Sequence, residues 1–203
     1  MLIAFEGVDG SGKSTLSVNF MEYLNKEFRD KDGQMLVDSH MGDFVWTKEP
    51  AFSSEEADKL NSPEYKSQTK RELLFFVSRT QHQTDLRSAN VVCDRYIWTG
   101  IAYASIFSPE TYKFARELYL SKDLFTQPDL HVFVDTDPLT CHIRRNEESI
   151  ENLNKKRQAY FDTMKYISSP IIVLESIVSP NQALEVLVER FREMMNRYRT
   201  FIG

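Results

Sequence analysis

The sequence has few of the residues that mark fibrous, low-complexity or disulfide-stabilised proteins. Its 203 residues include two cysteines, seven glycines and seven prolines, a content that excludes collagen-like and Pro/Gly-rich classes. Cys93 and Cys141 form no CxxC pattern and lie in apolar or mixed runs. We therefore expect reduced, structural thiols in a globular protein that is stabilised by its core.

Long apolar runs and a large excess of one charge are also missing. No run reaches the ~18 apolar residues of a membrane-spanning helix, and the opening segment Leu2–Glu6 is too short for a signal peptide. A net charge of -5 gives no general attraction to nucleic acid or anionic membranes. The histidines show no metal-ligand spacing. We expect a cytoplasmic protein without nucleic-acid or membrane partners, in which any anion site is built locally.

The chain alternates short apolar runs with amphipathic segments, a pattern that predicts parallel strands joined by helical crossovers. The predicted strands are Leu2–Glu6, Phe44–Thr47, Val91–Asp94, His131–Asp135 and Ile171–Leu174. The predicted helices lie near Lys13–Phe28, Glu64–Arg87, Ile97–Phe107, Glu110–Ser121, Leu139–Arg145, Ile150–Tyr166 and Gln182–Arg199. No linker or repeat divides the chain, so we expect one α/β domain over residues 1–203, with a surface insertion at residues 29–43 and a possible extra strand at Met35–Asp38.

Residues 7–15 fit the GxxxxGK[ST] pattern of a phosphate-binding loop (P-loop). The predicted nucleotide-binding residues are Gly7, Val8, Asp9, Gly10, Ser11, Gly12, Lys13, Ser14 and Thr15. The pattern follows an apolar strand and opens a helix that turns Leu16, Phe20 and Leu24 inward, which is the context that such a loop requires. Lys13 can reach the β- and γ-phosphates of ATP, and the Ser14 hydroxyl can bind Mg²⁺. The sequence thus predicts ATP and Mg²⁺ as cofactors.

A P-loop alone does not separate kinases from GTPases, ATPases or motors. The guanine-specifying NKxD pattern is absent, which argues against a GTPase. Further motifs occur in a fixed order: Phe5–Thr15, Thr47–Pro50, Glu72–Phe75 with Arg79 and His82, Asp94–Tyr96 with Thr99 and Tyr103, and Pro128–Pro138. In these residues the chain resembles the thymidylate kinase family. The resemblance implies a three-layer α/β/α P-loop NTPase fold with a parallel, roughly five-stranded sheet, a homodimer, and transfer of phosphate from ATP to dTMP, giving dTDP and ADP.

Asp94 and Arg95 stand at the carboxyl end of a predicted strand, where ligands bind in open α/β sheets. Arg95 can grip a phosphate with two parallel hydrogen bonds. Judged from the residues alone, a surface ion pair is the alternative. The resemblance implies that Arg95 holds the acceptor phosphate and that Asp94 belongs to the Mg²⁺ shell.

Phe75 and Arg79 are four residues apart and share a helix face, with Leu73, Phe76 and Val77 expected toward the core. From the residues alone, core packing for Phe75 and a solvated Arg79 would be the simpler interpretation. The resemblance implies instead that Phe75 stacks on the thymine ring and that Arg79 faces the base.

Arg95, Thr99 and Tyr103 are also spaced four apart, so they can form one stripe on a helix. The resemblance implies that Thr99 lies near the base edge and that Tyr103 occupies the space of a ribose 2′-hydroxyl, which favours deoxynucleotides. It also implies that Asp9 binds the acceptor's 3′-hydroxyl. The alternatives are an ordinary half-buried tyrosine and an aspartate that accepts hydrogen bonds from loop amides.

Two regions depart from the family pattern. Lys48 replaces the usual arginine of the Thr-Arg-Glu-Pro motif, and Ala51-Phe52 replace two glycines. Since lysine is a point charge without a planar fork, the identity of the acceptor stays open. A small lid is expected near residues 144–157, with Arg144 or Arg145 as the arginine on the ATP phosphates and Arg157 as a weaker candidate. Lys155 and Lys156 are expected on a solvated surface, with Lys155 paired to Glu151.

Three other functions are compatible with the sequence. A deoxynucleoside kinase would need a general base, for which Glu49 is the candidate, to take the proton of a 5′-hydroxyl. A kinase for another deoxynucleoside monophosphate would use the same site with a different base. A nucleotide-binding protein without turnover is the remaining alternative, and the presence of Lys13, Ser14 and Arg95 argues against it.

Overall fold

The structure is a computed structural model that describes residues 1–27, 43–50, 58–60, 62–63, 67–175 and 179–202. The surface insertion predicted at residues 29–43 lies outside the described residues, apart from Asp43. The possible strand at Met35–Asp38 and the departure at Ala51-Phe52 lie outside them as well.

A five-stranded parallel sheet forms the centre of the described chain. Its strands are β1 (Leu2–Glu6), β2 (Phe44–Lys48), β3 (Asn90–Asp94), β4 (Leu130–Asp135) and β5 (Ile171–Glu175). The strand order is β2-β3-β1-β4-β5, which places β1 in the middle. All five predicted strands are confirmed to within one residue at each end. β1, β3 and β4 were readable because strands that are buried on both faces appear as nearly continuous apolar runs.

Helices connect and cover the strands. They are α1 (Lys13–Glu27), α2 (Gln68–Gln81), α3 (Gln83–Ser88), α4 (Ile97–Ala104), α5 (Pro109–Tyr119), α6 (Pro138–Arg145), α7 (Ile150–Thr163) and α8 (Pro180–Ile202), with a 3₁₀ turn at Met164–Tyr166. The single helix predicted over residues 64–87 is wrong in one respect, because α2 ends and α3 begins at His82. The imidazole of His82 contacts Glu49 and Thr47, and such contacts between distant residues leave no signal in the local sequence pattern.

The core consists of two apolar layers, one on each face of the sheet. On one face, Ile3 and Phe5 pack with α1 and α8 through Phe20, Leu187 and Phe191. On the other face, alternate strand residues pack against α4, α5 and α7. This alternation follows from the two-residue period of a strand. The α/β/α architecture is therefore confirmed, and the inward positions expected for α1 are correct.

The outer face of α2 differs from the prediction. Phe76 packs against the core cluster, whereas Leu73 is 43% exposed and Val77 is 45% exposed. Helical spacing shows which residues share a face, but it does not show which face meets the core. Cys93 and Cys141 are free and buried, as expected. Within the described residues, no helix combines the length and the apolar character that crossing a membrane requires.

Candidate active site

The phosphate-binding loop lies between the end of the central strand β1 and the start of α1. Gly7, Gly10 and Gly12 have positive φ angles of 149°, 80° and 93°. A Cβ atom at Gly10 would lie 2.4 Å from the carbonyl oxygen of Cys141, on helix α6. A side chain at this position is therefore excluded by contact as well as by backbone conformation. The loop's inward curve depends on these glycines.

Lys13, the first residue of α1, lies inside the loop and is only 4% exposed. Its Nζ donates to the carbonyl oxygen of Val8 at 3.2 Å. Burial, together with the nearby positive charge of Arg95, lowers the pKa of Lys13 from 10.5 to about 7. An anion placed in the loop would relieve both effects, because it would replace lost solvation and offset the neighbouring cation. The buried ammonium therefore fits a phosphate ligand.

A potential magnesium site lies where α1 meets the end of β3. The Ser14 hydroxyl donates to Oδ2 of Asp94 at 2.5 Å. The other carboxylate oxygen, Oδ1, is buried and has no hydrogen-bond partner among the described residues. A buried carboxylate oxygen without a hydrogen-bond partner and a hydroxyl oxygen are typical ligands of a hard cation. The side chains present at this point therefore fit Mg²⁺.

Arg95 connects the phosphate loop with the neighbouring cavity. It has a left-handed backbone conformation with φ 69°, and its amide donates to the carbonyl oxygen of Phe5 at 2.8 Å. Its Nη1 donates to the carbonyl oxygen of Gly7 at 3.0 Å and to the Tyr103 hydroxyl at 3.1 Å. The guanidinium is thus oriented by groups on two sides, and little of its conformational freedom remains to be lost on binding.

Asp9 is surrounded by positive charges. It accepts from Nη2 of Arg95 at 2.6 Å, and the cationic groups of Lys156 and Arg145 lie 3.6 Å and 3.9 Å from its oxygens. Burial alone would raise the pKa of Asp9, but the charges of Arg95, Lys13 and Lys156 outweigh it and lower the pKa to about 2. Asp9 therefore remains ionised and carries the charge that makes it a strong hydrogen-bond acceptor.

The two adjacent lysines of α7 differ in their surroundings. Lys155 pairs with Glu151 at 2.7 Å and is 57% exposed, as predicted. For Lys156 the prediction of a solvated surface is wrong, because this residue lies between Asp9 and Glu148. Its Nζ also lies 4.8 Å from the centre of the Tyr103 ring, within the range of a cation–π contact.

The predicted acceptor residues meet in one cavity of about 160 Å³ next to the loop. The lining includes Asp9, Phe75, Arg79, Arg95, Thr99 and Tyr103, together with Pro50, Glu72 and Gly100. Aromatic rings, guanidinium groups and hydroxyls therefore line one space, which is bounded on the P-loop side by Asp9. This is the combination of a stacking surface and a few polar groups that suits a small planar ligand.

Arg79 and Glu49 are held by buried partners. Nη1 of Arg79 donates to the Tyr119 hydroxyl at 2.8 Å, and Nε lies 3.9 Å from Oε2 of Glu49. Oε1 of Glu49 lies 2.6 Å from Nδ1 of His82, whose Nε2 contacts the Thr47 hydroxyl at 3.1 Å. Glu49 is fully buried. Oε1 is thus held by a histidine, whereas Oε2 is buried without a hydrogen-bond partner among the described residues.

Lys48 lies at the end of β2 and has an exposed side chain. Its backbone is in register with Asp94, and its charge is close enough to contribute to the lowered pKa of Lys13. Lys48 therefore lies at the carboxyl edge of the sheet beside the P-loop, but it is not among the residues that line the acceptor cavity.

A second cavity, of about 260 Å³, lies on the other side of the P-loop. Its lining includes Ser11, Gly12 and Thr15 of the loop region, and Arg144. Nη1 of Arg144 donates to the carbonyl oxygen of Gly10 at 3.4 Å. Arg157, by contrast, makes two hydrogen bonds of 2.5 Å and 2.7 Å to the carboxylate of Asp135. Arg144 thus contacts the loop at Gly10 and lines this cavity, and Arg145 lies near Asp9. Arg157 is paired with Asp135 instead.

Sequence reasoning missed three residues at this site, namely Glu6, Lys156 and Tyr160. Glu6 is fully buried at the end of β1, and it accepts hydrogen bonds from the Thr99 hydroxyl and from the Tyr96 amide. Burial raises the pKa of Glu6 from 4.5 to about 7, although the Thr99 hydrogen bond opposes this. A charged residue at the end of a buried apolar strand was the available signal for Glu6. No local signal distinguishes Lys156 or Tyr160.

Comparison with known proteins gives a consistent result. A family model described as "Thymidylate kinase" matches residues 5–174. The "Thymidylate kinase" of Ligilactobacillus salivarius is 26% identical over 218 residues, covering 97% of each chain. The "Probable thymidylate kinase" of Sulfolobus acidocaldarius is 31% identical over 175 residues, covering 81% of this chain and 82% of the relative. Among solved structures, a thymidylate kinase from Ehrlichia chaffeensis is similar, with a TM-score of 0.62, 21% identity, and coverage of 95% of this chain and 98% of that chain.

Proposed function

The chain belongs to the thymidylate kinase family, and from this premise we propose that it phosphorylates thymidylate, converting dTMP and ATP to dTDP and ADP. The observation that carries the proposal is the position of Arg95. This residue lines the acceptor cavity and also donates to the carbonyl oxygen of Gly7 in the phosphate loop. A guanidinium in that position can hold an acceptor phosphate beside the terminal phosphate of ATP.

The nucleotide donor is assigned to the phosphate loop. Backbone amides of residues 7–15 and the positive end of α1 attract the phosphates, and the buried ammonium of Lys13 supplies a charge against them. Arg144 lines the cavity on the other side of the loop, next to Thr15. We assign that cavity to the remainder of ATP and Arg144 to its phosphates.

Ser14 and Asp94 are the residues that would hold magnesium. When bound, Mg²⁺ neutralises charge on the phosphate oxygens and so lowers the repulsion between donor and acceptor. The unsatisfied Oδ1 atom of Asp94 supports this assignment.

The acceptor nucleotide is assigned to the cavity beside the loop. Phe75 offers a ring on which the base can stack, and Arg79 offers donors to its edge. Asp9 would accept from the 3′-hydroxyl of the sugar, and Tyr103 would fill the space of a 2′-hydroxyl. Because Tyr103 also accepts from Arg95, discrimination at the sugar is connected to the group that holds the phosphate. Lys48, at the same edge of the sheet, is assigned to the approach of the acceptor phosphate.

The transfer needs no general base, because the acceptor is already an oxyanion. Its oxygen attacks the γ-phosphorus in line, and the departing oxygen leaves with ADP. The chain contributes position and charge: Lys13 and Arg95 lie on either side of the reacting groups, with Arg144 and Arg145 from the proposed lid at residues 144–157. Positioning and charge compensation of this kind account for most phosphoryl-transfer catalysis.

A deoxynucleoside kinase remains the second candidate, since it would use the same loop with Glu49 as base. The contacts of Glu49 argue against it. Oε1 of Glu49 already contacts Nδ1 of His82, and Glu49 is not among the residues that line the acceptor cavity. Use of Glu49 as a base would require it to leave this contact, which favours a phosphate acceptor.

One assay panel tests these alternatives. Purified protein is incubated with Mg·ATP and each ribo- and deoxynucleoside monophosphate, or with thymidine, and ADP release is followed in a coupled reaction. We expect dTMP to give the highest kcat/KM and the Lys13→Ala variant to lose about 10²–10³-fold in kcat. Activity with thymidine but not dTMP would indicate a nucleoside kinase. ATP binding in calorimetry with no ADP release for any acceptor would indicate a binding protein without turnover.

We further propose that the protein works as a single-domain, cytoplasmic homodimer. The outward residues Leu73 and Val77 lie one turn apart on α2 and are both nearly half exposed. A second copy of the chain would remove this apolar pair from water. Burial of apolar side chains at a two-fold interface is a common source of dimer stability.

A further inference from the structure

A short chain of buried hydrogen bonds runs from the sheet to the acceptor cavity. The Thr99 hydroxyl lies against Oε2 of Glu6 and 2.7 Å from the hydroxyl of Tyr160. The Tyr160 hydroxyl lies 3.3 Å from the carbonyl oxygen of Gly7. Of these residues, Thr99 lines the cavity that we assign to the acceptor base. The direction in which protons are donated along this chain therefore determines what Thr99 offers to the cavity.

The protons available on Glu6, Thr99 and Tyr160 determine which group donates in each of these hydrogen bonds. A carboxylate can only accept, so the single proton of Thr99 is donated to Glu6. The contact between Thr99 and Tyr160 then requires Tyr160 to be the donor. Thr99 has used its proton and one of its two lone pairs, and it can present only the second lone pair to the cavity. It is thus an acceptor for a ligand and not a donor.

We propose that Glu6 is a positioning residue that sets base specificity: by taking the Thr99 proton, it makes the cavity select a base edge that carries an N–H donor. Thymine and uracil carry such a donor at N3, whereas cytosine carries an acceptor there. This inference rests on the proposed function, because it concerns the base of the same acceptor. It adds Glu6, which is not among the residues that line the cavity, to the residues that determine base specificity.

The surroundings of Glu6 keep it available as an acceptor. Oε1 is anchored by the Tyr96 amide at 3.2 Å, while Nδ1 of His131 on β4 lies 3.8 Å away, beyond hydrogen-bond length. The guanidinium groups of Arg95 and Arg79 also act on it and favour the ionised form. The phenol of Tyr160 and the thiol of Cys93 are the remaining titratable groups nearby. Because burial raises the pKa of Glu6 to about 7, ionisation is largely complete at pH 8.

A Glu6→Gln substitution removes the acceptor for the Thr99 proton and keeps the shape of the side chain. The Tyr96 amide needs an acceptor, so the amide oxygen of glutamine stays at that position. The NH₂ group then faces Thr99 and donates to it. Thr99 can now donate to the cavity while Tyr160 still donates to it, or it can donate to Tyr160, which then donates to Gly7. In the first arrangement Thr99 is a donor toward the cavity, which it cannot be in the wild type, and in the second it remains an acceptor. The variant therefore removes the restriction of Thr99 to an acceptor while it keeps volume and packing.

The test compares kcat/KM for dTMP, dUMP and dCMP at pH 8 in the wild-type enzyme, in Glu6→Gln, in Thr99→Val, and in the double variant. We expect Glu6→Gln to raise kcat/KM for dCMP relative to dTMP and dUMP by about tenfold, the scale of one neutral hydrogen bond, mainly through KM, because Thr99 can then donate to N3 of cytosine. We expect a smaller change for dTMP and dUMP, because Thr99 can still accept from N3–H when it donates its own proton to Tyr160. In the Thr99→Val background, Glu6→Gln should cause no further change in the ratio of dTMP to dCMP, because the hydroxyl through which it acts is gone.

Equal losses for all three nucleotides, or the same loss of discrimination with and without the Thr99 hydroxyl, would overturn the role assigned to Glu6. Unchanged discrimination in Glu6→Gln would do the same. Thermal unfolding of each variant checks that the comparison is made on folded protein. A wild-type enzyme that does not phosphorylate dTMP would refute the proposed function itself, and that result is distinct from either outcome for Glu6.

Discussion

The Nη2 atom of Arg95 lies 2.6 Å from Oδ1 of Asp9, so the guanidinium of the acceptor cavity is paired with a carboxylate of the phosphate loop. The same guanidinium donates to the backbone of Gly7. The Arg95 side chain therefore contacts the phosphate loop and also lines the proposed acceptor cavity, and groups of both orient it. Such pre-organisation reduces the conformational entropy that must be lost when two anionic ligands are brought together.

Arg95→Lys should lower kcat with dTMP by about 10²–10³-fold, because lysine cannot reproduce the planar fork that contacts the loop and the acceptor phosphate at once. Steady-state ADP release with dTMP as the varied substrate measures the effect. Arg87→Lys is a suitable control, since Arg87 is exposed on α3 and its hydrogen bonds to Thr126 and Asp123 are long. A full kcat in Arg95→Lys would remove Arg95 from the mechanism.

Lys156→Gln should raise KM for dTMP by roughly two- to fivefold, the range of a partly exposed ion pair. The reason is that Lys156 helps to hold Asp9 and covers the ring of Tyr103. Lys155→Gln provides a matched control one residue away, because Lys155 pairs only with exposed Glu151 in the described structure. Michaelis curves for the two variants should separate them. Equal KM values would mean that Lys156 has no part in acceptor binding.

Glu6 should make stability depend on pH. Its pKa is raised to about 7 in the folded protein from 4.5, so between these values the folded state binds a proton that the unfolded state releases. Stability contributed by this group is present below pH 4.5 and is lost as the pH rises through 7. Relative to wild type, Glu6→Gln should therefore gain on the order of 3 kcal/mol between pH 4.5 and pH 8. Urea unfolding at several pH values measures this, with Glu117→Gln on the exposed face of α5 as the control. A difference that does not vary with pH would contradict the raised pKa.

Val77→Glu should convert the proposed homodimer into monomers, because a carboxylate at the centre of an apolar contact would lose its hydration. Light scattering coupled to gel filtration reports the mass of the particle. Ile143→Glu is the control, since Ile143 on α6 is 73% exposed and lies outside the proposed interface. A wild-type protein that elutes as a monomer at all concentrations would refute the dimer.

The sheet and the loop were readable from the sequence because each depends on local signals. Buried parallel strands form short apolar runs such as Val91-Val92-Cys93, and the P-loop requires its glycines and Lys13 at fixed spacing. The order of the motifs along the chain then predicted the acceptor residues, and one cavity brings Phe75, Arg79, Arg95, Thr99 and Tyr103 together.

The remaining features depend on contacts between distant parts of the chain. Lys156 looks like its neighbour Lys155 in sequence, and only the fold brings it to Asp9. The break at His82 reflects the position of Glu49 on another element. Leu73 and Val77 have the spacing of a buried stripe, yet the stripe faces outward. In each case residue type and spacing are compatible with two environments, and tertiary contacts decide between them.

The position of β1 between β3 and β4 limits how the enzyme can move. The loop that follows β1 and the arginine that follows β3 are carried by neighbouring strands of one hydrogen-bonded ladder, with Phe5 opposite Asp94. Shifting one relative to the other would break that ladder, so the sheet itself fixes the distance between the P-loop and Arg95. Adjustment to substrates of different size must therefore come from elements outside this ladder, which include the helix α2 that carries Phe75 and Arg79.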